Sequence, residues 1–188
     1  MVRPKAHQPL NTPDRLSRMP RELLILRHAK SDWDSGAASD FERPLAKRGR
    51  KDAPRVGEWL YREGLIPALI VSSPAQRAQE TALKVCKCLD LSKKEIVWDA
   101  DIYEADLQAL MDVLSRVPSA AQLVLLVGHN PGLEGLLRHL AGPDLDEPDD
   151  GKLLPTAALA RLEMPEDWSR LDYGCAGLVG IVRAKQLK

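Results

Sequence analysis

Leu123-Val124-Leu125-Leu126-Val127, followed at once by Gly128-His129-Asn130-Pro131-Gly132, is the stretch on which the fold turns. A short, uninterrupted apolar run reads as a strand covered on both faces, as in a parallel sheet. Glycine and proline then punctuate the chain, and helical spacing resumes from Leu133 to Leu140. The same grammar recurs upstream. Glu22-Leu23-Leu24-Ile25-Leu26 precedes a polar, aperiodic loop over 31–44 and then a helical pattern over 45–62, where Pro54 marks a kink or a late start. Ala68-Leu69-Ile70-Val71 precedes helix-type sequence from Pro74 to Leu89, and Glu95-Ile96-Val97-Trp98 precedes another from Leu107 to Val117. Gly142 to Leu154 is acidic and contains proline, hence an exposed loop; Ala157 to Met164 and Leu178 to Val182 read as strands with a hairpin-like connection. The expected fold is α/β: a three-layer α/β/α sandwich on a mostly parallel central sheet of about six strands, with an antiparallel edge strand.

The chain has 188 residues, 44% apolar and 29% charged, with 27 Lys+Arg against 27 Asp+Glu. This places one ordinary domain at residues 21–188 and excludes a wholly disordered, coiled-coil or collagen-like chain. Zero formal charge removes the net-charge argument for nucleic acid or an anionic membrane, and neither is expected as a partner. No apolar run approaches the ~18–20 residues of a membrane helix. Cys86 and Cys88 stand too close to staple much, and a helix would point them about 200° apart, so they make no common metal face. With Cys175 they read as reduced thiols of a cytoplasmic protein. Residues 1–20 carry Arg3, Lys5, His7, Arg15 and Arg18 against Asp14 alone, with four prolines. There is no apolar signal core, and the prolines spoil the amphipathic helix of an organellar presequence. A flexible arm is expected.

In open α/β sheets ligands bind beyond the carboxyl ends of the strands. Arg27-His28 follows the first strand, Ser72-Ser73-Pro74-Ala75-Gln76-Arg77 the second, and Gly128-His129-Asn130 the strongest. Two arginines and two histidines thus meet at one rim, with no comparable carboxylate cluster, so a divalent metal site is not the natural reading. Ser73, Pro74 and Gln76 fit a capping box, and Asn130-Pro131 repeats the N-cap grammar. Two helix N-termini and two guanidiniums describe an oxyanion pocket, with phosphate the obvious guest. His139, inside a helix, and His7, in the arm, read as bystanders.

These residues carry a resemblance. Leu26-Arg27-His28-Ala29-Lys30-Ser31 resembles the Arg-His-Gly/Ala signature of the histidine phosphatase superfamily. Arg43-Pro44-Leu45 with Gly49, then Ser72-Ser73-Pro74 with Arg77, Ala78 and Thr81, then Gly128-His129-Asn130, resemble its further blocks, in the same order. Ala29 followed by Lys30-Ser31, and the small size, are similar to the phosphohistidine phosphatase (SixA-like) branch. Phosphoglycerate mutases usually have Gly at the position of Ala29 and Asn at that of Asp34.

The resemblance implies a metal-independent phosphohydrolase without cofactor. His28 would be the nucleophile that becomes phosphorylated, and Arg27, Arg77 and His129 would hold the phosphoryl oxygens, with Arg43 a further candidate. The substrate would be phosphohistidine in a protein or a small phosphorylated molecule. The two arginines should depress the His28 pKa, and His129 should be protonated and act as a donor. Glu104 is the candidate general acid, with Asp32, Asp34 and Asp40 as rivals; Asp34 is also placed to orient Arg27 or Arg43. Lys30 either steers anionic substrates or is solvated. Trp33 either lines the entrance or packs in the core. Phosphoglycerate-mutase-like transfer and a phosphate- or phosphoprotein-binding module without turnover remain alternatives, though a binding module has no need of a nucleophile between arginines. Oligomeric state stays open.

Overall fold

A computed structural model describes residues 20–146 and 148–187, and the arm expected over 1–20, with His7, lies almost wholly outside them. The strands are β1 (Arg21–Arg27), β2 (Leu69–Ser72), β3 (Ile96–Trp98), β4 (Leu123–Gly128), β5 (Ala158–Met164) and β6 (Gly177–Arg183). The helices are α1 (Lys47–Arg62), α2 (Gln76–Cys88), α3 (Leu107–Ser115) and α4 (Gly132–Ala141). One 6-stranded sheet has the order β3-β2-β4-β1-β5-β6. The first four are parallel, β5 runs antiparallel to β1, and β6 pairs antiparallel with β5. The antiparallel element is therefore the β5–β6 pair, with β6 at the edge.

The two strands that read as continuous apolar runs, β1 and β4, are the central pair, with Leu24 opposite Leu125 and Arg27 opposite Gly128. Leu23, Ile25, Val124 and Leu126 face one layer with Leu110 and Leu114 of α3 and Leu133, Leu136 and Leu137 of α4. Leu24, Leu26, Leu125 and Val127 face the other with Val56 and Leu60 of α1 and Ala82 and Val85 of α2. Period-two alternation on doubly covered strands thus feeds two cores, as the three-layer expectation requires. Helices α1 and α2 pack closely: a Cβ on Gly57 would come within 2.8 Å of the Cys88 Cβ. Pro54 is accommodated inside α1, whose backbone stays helical through it.

The connection from β4 leads to α4 on one face, while those from its neighbours β1 and β2 lead to α1 and α2 on the other. A crevice opens where adjacent connections diverge, and the carboxyl ends of β1, β2 and β4 deliver their residues there. Among the described residues no helix is long and apolar enough to cross a membrane.

Candidate active site

His28 follows β1 directly, its N–H donating to Gly128 O of β4 at 3.0 Å. The next residue is tied to α2: Ala29 N–H donates to Thr81 Oγ1 (3.0 Å), and Thr81 Oγ1 donates to Arg77 O (2.7 Å). Thr81 thus anchors the end of β1 against the first turn of α2. The His28 ring is buried, with Nδ1 2.8 Å from its neighbour's carbonyl, Ala29 O. A carbonyl only accepts, so Nδ1 carries the proton and Nε2 keeps its lone pair. Arg77 Nε–H points at that lone pair from 3.4 Å.

Burial is the largest influence on His28 and takes its pKa down to about 3; the bond to Ala29 O opposes this, and His129, Arg77 and Arg27 reinforce it. The direction matches the sequence expectation, but desolvation outweighs the cations. His129 differs from its expectation. Its pKa is lowered to about 4, chiefly by burial and then by Arg77, with Asp40 only partly offsetting them, so the ring is neutral rather than protonated at pH 7. The His28 and His129 rings lie 5.0 Å apart, centroid to centroid.

These shifts fix the sign of a stability effect. A folded-state pKa below the ordinary 6.5 means that the unfolded chain binds the proton more readily. Stability is then fully present above about 6.5 and is lost as pH falls toward 3–4. Removing one such imidazole, as in His28→Asn, should shrink the loss in unfolding free energy between pH 6.5 and 4.5 by about 2 kcal/mol. Urea unfolding at the two pH values measures it; an undiminished loss contradicts the buried neutral ring.

Arg77 is buried and uses its whole fork: Nη1 donates to Asp40 O at 2.6 Å and Nη2 to Asp40 Oδ2 at 2.8 Å. Arg43 donates to Asp40 Oδ1 through Nη2 (2.6 Å) and Nε (3.2 Å), and to Ser31 Oγ through Nη1. Tyr103 Oη donates to Asp40 Oδ2 at 3.1 Å. Burial raises the Asp40 pKa, but the Arg43 bond, the Arg77 and Arg43 charges and the Tyr103 bond outweigh it and hold the carboxyl below its usual range. The rim therefore holds one carboxylate, Asp40, bonded by two arginines. The 31–44 loop folds back far enough to bring Asp40 onto both guanidiniums, something an aperiodic stretch does not announce. Asp34 makes no side-chain bond or ion pair to Arg27 or Arg43; its backbone N–H donates to Asp32 Oδ1. Trp33 is 71% exposed, which excludes core packing, and the Arg43 guanidinium stacks 3.5 Å from its ring centroid.

Arg27 donates through Nη1 to Leu154 O at 2.8 Å, while its buried Nε has no partner. Burial lowers its pKa, and Glu134 pulls the other way. Glu104 is exposed and adopts a left-handed φ of 53°, uncommon outside glycine. It lines a cavity of about 640 Å³ together with Asp40, Arg77, His129 and Asn130. His28, Arg77 and His129 are thus brought together, Arg43 joins through Asp40, and Glu104 stands in the same cavity wall. Lys30 lines a different depression, beside Arg48 and Asp150. His139 is bonded to Leu171 O at 2.7 Å, away from the site, as its helical setting implied.

Neither expected cap forms. Helix α2 begins at Gln76 with Ala75 as its N-cap residue and no side-chain cap. The chain is still extended at Ser73, whose N–H donates to Val127 O of β4. The Ser73 hydroxyl oxygen accepts from Ala75 N–H and lies 2.8 Å from His129 Nε2. Likewise α4 starts at Gly132 after Pro131, and the Asn130 amide donates to Glu134 Oε1 and Leu154 O instead of capping. Tyr103, this role of Ser73 and the bonding of Asp40 to both arginines are not legible in the sequence, where Asp40 enters only as a rival general acid. The spacing of Asp40 three residues before Arg43 was the one local sign of their pairing. Among the described residues no group of three or more His, Cys, Asp or Glu is placed to hold a metal ion.

The chain has relatives among known proteins. Residues 23–113 match the model of the histidine phosphatase superfamily (branch 1). The phosphohistidine phosphatase SixA of Escherichia coli is 30% identical over 146 residues, 69% of this chain and 89% of that protein. An uncharacterized protein of Mycobacterium tuberculosis is 31% identical over 161 residues, 82% of this chain and 97% of its own length. A solved structure from Agrobacterium tumefaciens, named for phosphohistidine phosphatase SixA, superimposes with a TM-score of 0.74 at 27% identity, covering 88% of this chain and 99% of that one. With its histidines and arginines at the carboxyl ends of β1, β2 and β4, in the family's order, the chain belongs to the histidine phosphatase superfamily, in its SixA-like branch.

Proposed function

We propose that the protein is a metal-independent phosphohydrolase that works through a phosphohistidine intermediate, most naturally on phosphohistidine in a protein. The observation that carries this reading is the state of His28: Nδ1 is committed to Ala29 O, and Nε2 presents a lone pair beside Arg77. A histidine poised in this way is already neutral and directed, which an imidazole nucleophile requires. In the first step Nε2 forms a bond to phosphorus while the bond from phosphorus to the leaving nitrogen or oxygen breaks, its electron pair leaving with that atom. Arg77, Arg27 and Arg43 balance the charge on the equatorial oxygens, as Arg77 and Arg43 already do for the Asp40 carboxylate. That carboxylate yields its place on the fork when a phosphoryl group enters. In the second step water attacks phosphorus, the phosphorus–Nε2 bond breaks, and its electron pair returns to the ring.

An alkoxide leaving group needs a proton, and Glu104 in the cavity wall is the residue placed to give it. A phosphorylated imidazole can leave with its own proton, so that substrate makes the least demand on an exposed acid. The names of the SixA relatives point the same way.

The test is a turnover assay after exhaustive EDTA treatment, comparing a phosphohistidine protein, an aryl phosphate and 3-phosphoglycerate. Activity should survive chelation and favour phosphohistidine, with orthovanadate inhibiting as a mimic of the trigonal transition state. Activity lost to EDTA and restored by a divalent ion overturns the metal-free mechanism. Isomerisation of 3-phosphoglycerate without phosphate release would instead mark a mutase.

A further inference from the structure

We propose that Ser73 is a positioning residue: its hydroxyl donates to His129 Nε2 and so holds the single ring proton of His129 on Nδ1, as a donor for an oxyanion in the cavity. Only the use of that donor rests on the phosphohydrolase reading; the placement of the proton does not.

Ser73 is fully buried, and its Oγ has two polar neighbours, Ala75 N at 3.2 Å and His129 Nε2 at 2.8 Å. The Ala75 N–H only donates, so Oγ accepts there. The hydroxyl proton then has one place to go, the lone pair of Nε2. If the ring proton sat on Nε2 instead, it would point at Oγ, and the hydroxyl proton would be buried without an acceptor. Nδ1, buried and unpartnered, would be left as a bare acceptor as well. That arrangement orphans two groups; the proposed one orphans only the Nδ1–H. Each buried orphan costs about 1–3 kcal/mol, so the difference decides the tautomer.

The backbone holds the pair rigidly. Ser73 N–H is tied to Val127 O of β4, and the Ser72 hydroxyl donates to Ser73 O at 3.1 Å, so Ser73 and His129 leave adjacent strands in fixed register. The remaining orphan is a donor on a ring that lines the cavity beside Arg77, whose guanidinium is already matched to an anion. A neutral N–H there adds a directed contact to the phosphoryl oxygens without placing another buried cation beside Arg77 and Arg27.

Long-range proton–nitrogen NMR spectra of protein carrying ¹⁵N-labelled histidine, without ligand, read the tautomer directly, with His129→Gln assigning the signal. Wild type should show the Nδ1–H pattern. Ser73→Ala should lose it to the Nε2–H form or a mixture, and Ser73→Thr should keep it. Orthovanadate binding, measured calorimetrically so that no turnover is needed, should weaken about tenfold in Ser73→Ala, the scale of one lost hydrogen bond. It should stay near wild type in Ser73→Thr. An Nε2–H pattern in the wild type overturns the proposal, and that spectrum decides even if neither variant folds. A changed tautomer with unchanged vanadate affinity refutes the donor role. Failure to hydrolyse any phosphate would remove the phosphohydrolase reading while leaving the tautomer result standing.

Discussion

Replacing His28 with alanine should abolish turnover, with kcat falling by on the order of 10⁴–10⁶-fold, the scale of a lost nucleophile. Nothing nearby can substitute. His129 is the neighbouring imidazole, but its Nε2 is committed to the Ser73 pair. Arg77 and Arg43 have no lone pair to offer, and Asp40 is bonded by both arginines and Tyr103. The loss should be chemical rather than structural. The His28 backbone N–H keeps its bond to Gly128 O in the variant, and Ala29 keeps its bond to Thr81. The melting temperature should therefore move by only a few degrees. In the wild type, rapid mixing with substrate and quenching should trap acid-labile, base-stable phosphate on His28 alone. Full activity in His28→Ala, or phosphate trapped on another residue, rejects the assignment.

The parts legible in the sequence share a physical cause. Strands buried on both faces are long apolar runs, so β1 and β4 declared themselves, and with them Arg27, His28 and His129, which follow without intervening residues. Arg77 was legible because the β2-to-α2 connection is short. What was not legible depends on contacts across long stretches of chain. Asp40 meets Arg77 37 residues away, and Tyr103 meets Asp40 across 63. No periodicity encodes a loop folding back over a rim. The cap at Ser73 failed for a related reason: an N-cap pattern describes local competition for a hydroxyl, and here His129, 56 residues on, takes part in it. The neutral state of His129 follows chiefly from burial, which its place after a strand in the sequence does not reveal.

Arg77 carries the second large effect because all three of its nitrogens are engaged at once: Nε toward His28, Nη1 and Nη2 on Asp40. Lysine keeps the charge but offers one ammonium in place of a planar fork, so it cannot serve the nucleophile and the oxyanion together. Arg77→Lys should lower kcat/KM by roughly 10²–10³-fold, the scale of one lost transition-state donor. Arg77→Ala should fall further and weaken inhibition by free phosphate. It also leaves Asp40 with one guanidinium, Arg43, so the carboxyl pKa should rise toward its ordinary value. Arg27 reaches the same rim from the end of β1, held by Leu154 O. If both arginines act on one phosphoryl group, the Arg27→Ala/Arg77→Ala double variant should cost less free energy than the two single variants summed, since the second loss removes support from a group already poorly held. Thermal melts accompany each variant, because Thr81 donates only to the Arg77 backbone and should keep the site assembled. Strict additivity would mean that the arginines serve different groups, and normal kinetics in Arg77→Lys would leave the fork on Asp40 as structure without a part in the reaction.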